Sequence, residues 1–445
     1  MTARRASGRD TATKQILLGV LAAGLVSLAG HSPPGGETPI GVVLITLDTT
    51  RADRLTPYGF MDVVMPGLER LAREGVLFHQ ATSVAPLTLP AHTSIMTGLL
   101  PPRHGVRDNV DRPLAASHRT LAEMLQQRRF RTAAFVGSTV VGADRGLSQG
   151  FEHYDDVPPN DRAGAEGRQR RADEVVSAAI RWLDAVGDSR FFLWTHLYDP
   201  HSPYNPPAPV RARHVDPYIG EIVFADAQIA RLLDALDSRR LLDRALVIVT
   251  ADHGESLGEH GERDHGMFVY ESVLRVPLII RGPRLRPGRV DGVVRLVDIM
   301  PTVLDVLGFG LPQTDGVSLR GALGGAGAPP DLEAYAESLY PQRLGGRPVR
   351  SLRVGRFKVI DAPCPELYDL ARDPFEEHDV SLERRTLADG LGRRLAEIDA
   401  GSAVSPSRRG LHADVPAELQ ERLAALGYVG PRTRPGDVQG PEPCR

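Results

Sequence analysis

The sequence predicts an α/β protein in which a mostly parallel sheet lies between helices and is followed by a small antiparallel sheet. Residues 40–47 and 245–250 are almost continuously apolar and rich in β-branched side chains, which is typical of parallel strands buried on both faces. Strand patterns alternate with helical patterns such as residues 171–186, and this alternation indicates helices on both faces of the sheet. Residues 351–360 have the pattern of a β-hairpin, which predicts the second, antiparallel sheet.

The composition is that of an ordinary globular protein. With 445 residues, 42% of them hydrophobic and 24% charged, the chain can form one large and one smaller domain. A formal net charge of −3 gives no reason to expect a nucleic-acid partner. Cys364 and Cys444 are too far apart in sequence for a metal-ligand motif, and they either form a disulfide or stay free. The sequence does not indicate an oligomeric state.

The N-terminal residues have the layout of a secretory signal. Basic residues, among them Arg4, Arg5 and Lys14, precede an apolar stretch over residues 16–29. Because this stretch is short for a spanning helix, residues 1–30 are predicted to be a signal peptide or an uncleaved membrane anchor. Both alternatives place the protein beyond the cytoplasmic membrane, in the periplasm or outside the cell.

Pro- and Gly-rich segments divide the rest of the chain. The main domain is expected to contain further strands near residues 132–136, 191–195 and 276–280. A stretch rich in Gly, Ala and Pro, residues 321–330, marks its end. The predicted sections are a linker (31–39), the main domain (40–325), a small C-terminal α+β subdomain (326–400), and a C-terminal helix with a flexible tail (401–445).

Thr88 is predicted to lie at the N-terminus of a helix. Pro90 suits the first helical turn, where its missing N–H would have no partner, and Gly98 supplies the end of the helix. A helix should therefore begin at about Pro90. The free N–H groups of the first turn would favour a tetrahedral phosphate or sulfate bound to the Thr88 hydroxyl. The alternative is that Thr88 is only a helix cap.

Acidic and imidazole side chains follow two of the predicted strands. Asp48 comes directly after the strand at 40–47, and Asp252 and His253 follow the strand at 245–250. Open α/β sheets bind their ligands at the carboxyl ends of parallel strands. We therefore expect these side chains to meet Thr88 at one edge of the sheet.

Six segments together resemble the sulfatase family within the alkaline phosphatase superfamily. They occur in the order of that family, and they are residues 44–55, 86–98, 101–105, 250–255, 274–282 and 366–374. The resemblance implies an alkaline-phosphatase-like fold with a small C-terminal antiparallel sheet, and it implies metal-dependent ester hydrolysis.

The resemblance also implies roles for individual residues. Asp48, Asp252 and His253 match positions that bind a divalent metal, and Thr88 matches the nucleophile, whose oxygen also touches the metal. A two-step displacement through a Thr88-bound intermediate would follow. The catalytic candidates are Thr88, His92, His201 and His265, and the candidates for substrate binding or a second metal are Arg51, Asp199, His201 and His265.

Three departures from the arylsulfatase pattern bear on the metal. Thr49 stands where many arylsulfatases carry a second Asp, His92 stands where they carry Arg, and His253 stands where they often carry Asn. Fewer carboxylates and more imidazoles favour a transition metal over calcium. Zinc is therefore predicted, with manganese or calcium as the alternatives.

Thr88 itself bears on the substrate. Its Cβ carries a methyl group, so it cannot be oxidised to formylglycine, and no formylglycine is expected. A threonine ester must be broken by water attacking the bound group, which phosphoryl groups tolerate. The predicted substrate is therefore a small-molecule, glycan or lipid ester of the phosphoester, phosphodiester or phosphonate class, in preference to a sulfate ester.

Four other functions are also compatible with the sequence. The chain could be a true sulfuric ester hydrolase, a transferase of phosphate-linked headgroups, or an exported binding protein that keeps the scaffold without turnover. Residues 146–150 also fit the G-x-S-x-G pattern of serine esterases, with Ser148 as nucleophile, but the flanking sequence does not predict the required strand and helix.

Overall fold

The computed structural model describes residues 38–156, 163–164, 167–324, 331–362 and 364–400. The predicted signal or anchor segment (1–30) and the predicted C-terminal helix and tail (401–445) lie outside these residues. Within the described part of the chain, no helix is both long and apolar enough to cross a membrane. Cys364 is disulfide-bonded; the other cysteine of the sequence, Cys444, lies outside the described residues.

Fourteen strands are distributed along the described residues. They are β1 (Gly41–Leu47), β2 (Val76–Thr82), β3 (Arg131–Val136), β4 (His153–Asp155), β5 (Ala163–Gly164), β6 (Gly167–Arg168), β7 (Phe191–Leu197), β8 (Ala245–Ala251), β9 (Arg275–Arg281), β10 (Gly288–Arg295), β11 (Ala334–Ser338), β12 (Val349–Val354), β13 (Phe357–Asp361) and β14 (Glu366–Asp369).

Among the described residues, eight strands form one large sheet in the order β10-β2-β9-β8-β1-β7-β3-β4. All of them run in parallel except β9, which is antiparallel to both of its neighbours. Strands β1, β7 and β8 lie at the centre and are buried along their whole length. This burial is the reason for their continuous apolar sequences.

Helices accompany the sheet and the C-terminal region. They are α1 (Pro66–Glu74), α2 (Thr88–Thr97), α3 (Pro101–His104), α4 (Leu121–Gln126), α5 (Ala172–Asp184), α6 (Ala208–Arg211), α7 (Pro217–Ser238), α8 (Glu271–Leu274), α9 (Ile299–Val306), α10 (Arg320–Leu323) and α11 (Arg385–Ala400). Helices α1 and α5 both pack on the long helix α7.

The second sheet is small and antiparallel. Its strands follow the order β11-β12-β13-β14, and helix α11 packs on β12 and β13. Buried side chains of the two elements, among them Leu352, Val359 and Leu395, form a separate apolar cluster. The predicted hairpin over residues 351–360 corresponds to β12 and β13, which pair in antiparallel fashion.

The predicted α/β class is therefore confirmed, with one difference in detail. Helix α2 begins at Thr88, two residues before the expected start at Pro90. The G-x-S-x-G segment does not form a strand that runs into a helix: it lies between a 3-10 turn and β4, and the Ser148 hydroxyl donates to the Ala143 carbonyl at 3.0 Å.

Candidate active site

The carboxyl ends of β1 and β8 bring three of the four predicted metal ligands together. Leu47 pairs with Ala251 in parallel register, so Asp48 and Asp252 leave the sheet at the same level. His253 follows, and its Nε2 lies 3.9 Å from Asp48 Oδ1 and 3.5 Å from Asp252 Oδ2. All three acidic and imidazole side chains are buried. We call Asp48, Asp252 and His253 the strand-end group.

Thr88 faces this group from the first turn of α2. Its Oγ1 lies 3.3 Å from His253 Nε2. His253 Nδ1 is 2.9 Å from the Gly254 carbonyl and must donate to it, so Nε2 is the ring nitrogen that accepts. The Leu89 N–H, one of the amides without a helical partner, donates to Asn109 Oδ1 at 2.9 Å. The helix places the Thr88 hydroxyl against the strand-end group.

His92 supports this helix with both of its ring nitrogens. Nδ1 lies 2.8 Å from the Thr88 carbonyl and donates to it, and Nε2 lies 3.0 Å from the Thr46 hydroxyl. Trp194 donates its indole N–H to the same Thr46 oxygen at 3.0 Å, which leaves the Thr46 proton for His92. Burial lowers the pKa of His92 to about 3, so the ring is neutral. These contacts favour a positioning role, and the catalytic role of His92 stays a prediction.

Two carboxylate oxygens of the strand-end group lack hydrogen-bond partners among the described residues. They are Asp48 Oδ1 and Asp252 Oδ2. Burial raises the pKa of Asp48, and burial together with the charge of Asp48 raises the pKa of Asp252 well above its usual value. A cation between these oxygens would supply the missing partner and offset the repulsion.

The group also has the donors and the spacing of a metal site. One ligand atom each from Asp48, Asp252 and His253 lies within 4.8 Å of the others. A second combination, His92, His196 and Asp252, meets the same distance limit, but both ring nitrogens of His92 are already engaged. The residues therefore fit a divalent metal held by Asp48, Asp252 and His253.

Two of the predicted histidines adjoin the group. The ring centroid of His265 lies 4.4 Å from that of His253 and 5.0 Å from that of His201. Burial alone would lower the pKa of His265. The Glu255 carboxylate, 2.9 Å from its Nδ1, has the larger effect, and the net pKa is raised to about 9. His201 Nδ1 lies 2.5 Å from the Ser202 carbonyl and donates to it. The structure thus brings His201 and His265 to the site.

Arg51 and Asp199 have other partners. The Arg51 guanidinium donates to both carboxylate oxygens of Asp53, at 2.8 and 2.9 Å, and to Glu259 at 2.7 Å. Asp199 Oδ2 accepts from the Ala172 N–H at 2.7 Å, at the start of α5. The structure therefore does not bring Asp199 into the strand-end group, and acidic partners neutralise Arg51.

Sequence reasoning assigned no role to three buried polar residues of this region, Thr46, His196 and Glu255. His196 lies in β7, and its Nε2 is 3.2 Å from Asp48 Oδ2. A polar residue inside an otherwise apolar buried strand is the signal that could have identified Thr46 and His196. Glu255 follows the Asp-His-Gly sequence directly, and its position in that motif was the available signal.

Known proteins share both the sequence pattern and the fold. Residues 41–309 match the family described as Sulfatase, and residues 258–400 match the family described as N-sulphoglucosamine sulphohydrolase, C-terminal. Choline-sulfatase of Rhizobium meliloti (strain 1021) is 26% identical over 430 residues, which cover 75% of this chain and 81% of the relative.

Two solved structures illustrate the likeness in fold. The phosphonate monoester hydrolase of Agrobacterium radiobacter has a TM-score of 0.69 and 21% identity, over 85% of this chain and 100% of its own. A structure in complex with its substrate, D-glucosamine-2-N,6-O-disulfate, has a TM-score of 0.70 and 20% identity, over 82% of this chain and 98% of its own. The relatives thus include proteins named for sulfate esters and for phosphonate esters.

Proposed function

The chain belongs to the sulfatase family of metal-dependent ester hydrolases, and from this premise we propose that it cleaves phosphoesters, phosphodiesters or phosphonates with Thr88 as nucleophile. The observation that supports the proposal is the position of the Thr88 hydroxyl beside the strand-end group. The hydroxyl is 3.3 Å from His253 Nε2 at the N-terminus of α2, where backbone N–H groups favour a tetrahedral anion.

The choice of substrate class depends on the side chain of Thr88. Formylglycine can expel a bound sulfate through collapse of its own hydrated carbonyl, without attack at sulfur. Threonine has no such route because its Cβ carries a methyl group, so water must attack the group bound to Oγ1. Phosphorus accepts this second attack, and it therefore suits a threonine nucleophile better than sulfur does.

The chain's own residues supply the following steps. The Thr88 hydroxyl proton is released to solvent, and Oγ1 forms a bond to phosphorus while the bond from phosphorus to the leaving oxygen breaks. The leaving oxygen keeps the electron pair and takes a proton from His265. Water then attacks the phosphorus of the Thr88 ester, gives one proton to His265 and restores the Thr88 oxyanion. His201, beside His265, would contact the substrate.

Asp48, Asp252 and His253 would hold the divalent metal that this family uses. A bound ion would lower the basicity of the Thr88 oxygen and neutralise charge on the transferred group. With one imidazole and two carboxylates, the donors favour zinc, and manganese or calcium are the alternatives.

One observation favours a second candidate, a sulfuric ester hydrolase. The similar Rhizobium protein is named a choline-sulfatase, and a structure with the same fold is bound to a disulfated glucosamine. The layout of residues 1–30 supports an exported enzyme in either case. The substrate would then be a small-molecule, glycan or lipid ester outside the cytoplasm.

An ester panel with Thr88 variants tests the proposal. The zinc-loaded full chain would be assayed on an aryl sulfate, a phosphate monoester, a phosphodiester and a phosphonate monoester. We expect the highest kcat/KM on one of the phosphorus esters. Thr88→Ala should lower that value about 10³-fold or more because it removes the nucleophile, whereas Thr88→Ser keeps a hydroxyl and should retain measurable turnover.

Two outcomes would contradict the proposal. A clear aryl sulfatase rate without any rate on the phosphorus esters would favour the second candidate. Unchanged activity of Thr88→Ala would remove Thr88 from the chemistry. Ser148→Ala serves as the control, since Ser148 lies in the rejected esterase motif and should leave the rate unchanged.

A further inference from the structure

Glu255 is a fully buried carboxylate that joins two segments of the active site. One oxygen, Oε1, lies 2.9 Å from His265 Nδ1, and the other, Oε2, accepts from the Tyr204 hydroxyl at 2.8 Å. Its backbone carbonyl accepts from Arg51 at 3.1 Å. A buried carboxylate with both oxygens bonded in this way has one fixed orientation.

The bond to Glu255 determines which ring nitrogen of His265 is left to contact the substrate. Because a carboxylate only accepts, Nδ1 of His265 carries the hydrogen in the bond to Glu255. Nε2 is the nitrogen that remains, and among the described residues it forms no hydrogen bond. The ring adjoins those of His253 and His201, so Glu255 holds His265 in one rotation beside the strand-end group, with Nδ1 bonded to the carboxylate.

Tyr204 anchors the carboxylate from the neighbouring segment. Its ring packs on that of Tyr218 at 5.3 Å between centroids. The Tyr218 hydroxyl in turn donates to the Thr49 carbonyl at 2.7 Å, directly after Asp48. The segments that follow β1, β7 and β8 are thus connected through Tyr204, Tyr218 and Glu255.

We infer that Glu255 and Tyr204 are positioning residues that direct Nε2 of His265 to the leaving group of the ester. The inference rests on the proposed function, in which His265 gives its proton to the leaving oxygen as the bond to phosphorus breaks. Two contacts carry it: the hydrogen bond from His265 to Glu255, and the hydrogen bond from Tyr204 to Glu255.

The test uses aryl phosphodiesters that differ in their leaving group. A basic leaving group such as phenoxide needs a proton as it departs, whereas 4-nitrophenoxide departs largely without one, so loss of a correctly aimed donor affects phenyl esters more. The measurement is kcat/KM of the zinc-loaded full chain on both esters for Glu255→Ala, Glu255→Gln and Tyr204→Phe. We expect Glu255→Ala to lower the value for the phenyl ester about tenfold more than for the nitrophenyl ester.

In the other variants, the loss in kcat/KM on the phenyl ester should depend on which hydrogen bond is kept. Glu255→Gln retains one carbonyl oxygen for His265 and should recover part of the loss. Tyr204→Phe leaves the carboxylate in place and should have a smaller effect with the same dependence on the leaving group. The matched control is Glu262→Gln, because Glu262 is a buried carboxylate of the same segment that accepts from the Met267 N–H at 2.7 Å and acts on His265 through its charge, without a hydrogen bond.

A double variant shows whether Glu255 acts through His265. Glu255→Ala combined with His265→Gln should be no slower on the phenyl ester than His265→Gln alone, since residues that act as one unit are not additive. Additive losses, equal losses on both esters, or the same pattern in Glu262→Gln would overturn the inference. Failure of the proposed function gives a different result, namely retained activity in Thr88→Ala.

Discussion

Thr49, which stands where many arylsulfatases carry a second Asp, is held by hydrogen bonds within the protein. Its φ angle of 48° lies in the left-handed region, which is rare for a residue with a β-branched side chain. In this conformation its N–H donates to Asp252 Oδ1 at 3.2 Å and its hydroxyl to the Pro200 carbonyl at 2.7 Å. The residue at the position of a second Asp therefore holds Asp252 and the segment after β7.

Asp252 gives a prediction at the same scale, because its Oδ2 is buried without a partner next to Asp48. In the presence of a chelator, Asp252→Asn should be more stable than the wild type, by about 1–2 kcal/mol, since Asn neither buries a charge nor has to take up a proton on folding. With zinc the order should reverse, because only the wild type keeps the ligand; a metal at 100 times its Kd adds about 2.7 kcal/mol. Thermal unfolding with chelator and with zinc measures both differences.

The control for this prediction is Asp199→Asn. Asp199 is also a buried carboxylate near the end of a central strand, but it bonds to Ala172 and lies outside the strand-end group. Its effect on stability should not depend on zinc. An equal response of the wild type and Asp252→Asn to zinc would contradict the assignment of Asp252 as a ligand.

At the scale of elements, the register of β1 against β8 assembles the site. Asp48 and Asp252 are about 200 residues apart in sequence, and they meet because Leu47 and Ala251 are paired. Helix α2 adds Thr88, and it starts at Thr88 because the Leu87 backbone is extended while the following residues are helical. The sequence indicated the strands and the helix separately, and the pairing register could not be read from it.

The contact between α7 and α1 gives a prediction on pH. Asp226 of α7 is buried and accepts from the Leu68 and Gly67 N–H groups of α1 at 2.7 and 3.1 Å. Burial raises its pKa from 3.8 to about 6. The folded state therefore holds the proton more tightly than the unfolded state, so this stability is present below pH 3.8 and is lost as the pH rises through about 6.

Asp226→Asn removes that titration and isolates its effect. The free energy of unfolding of the wild type, relative to Asp226→Asn, should fall by about 2.4 kcal/mol between pH 4 and pH 7, since one pKa unit corresponds to about 1.4 kcal/mol and a small part of the effect is already lost at pH 4. Urea unfolding of both proteins across this range is the measurement. A constant difference would show that the pKa of Asp226 is the same in the folded and unfolded states.

At the scale of the whole molecule, a buried charge cluster joins the two sheets. Lys358 of β13 lies 3.0 Å from Glu271, at the start of α8, and 2.8 Å from Glu376. Arg353 of β12 is also 3.0 Å from Glu271. Since α8 leads directly into β9 of the large sheet, the cluster fixes the small sheet to the main domain.

Removing one charge of this cluster should destabilise the molecule strongly. Lys358→Met leaves Glu376 buried without its cation and leaves Glu271 with Arg353 alone, and the expected loss in the free energy of unfolding is about 3–5 kcal/mol. The exposed pair of Arg394 and Glu333, 2.9 Å apart, is the matched control, and Arg394→Ala should cost less than about 1 kcal/mol. Equal losses in the two variants by urea unfolding would contradict a role of the cluster in stability.

The sequence by itself determined the fold class, the sulfatase family and the residues that the structure brings together, because these follow from local patterns: apolar strands, Asp48 and Asp252 at their ends, and Thr88 before Pro90. Only the tertiary structure decided which side chains are already engaged. His92, Arg51 and Asp199 matched or adjoined family motifs, yet each has hydrogen-bond partners that are distant in sequence. Such partners depend on strand register and helix packing, and for the same reason the link from Tyr204 through Glu255 to His265 became visible only in the folded chain.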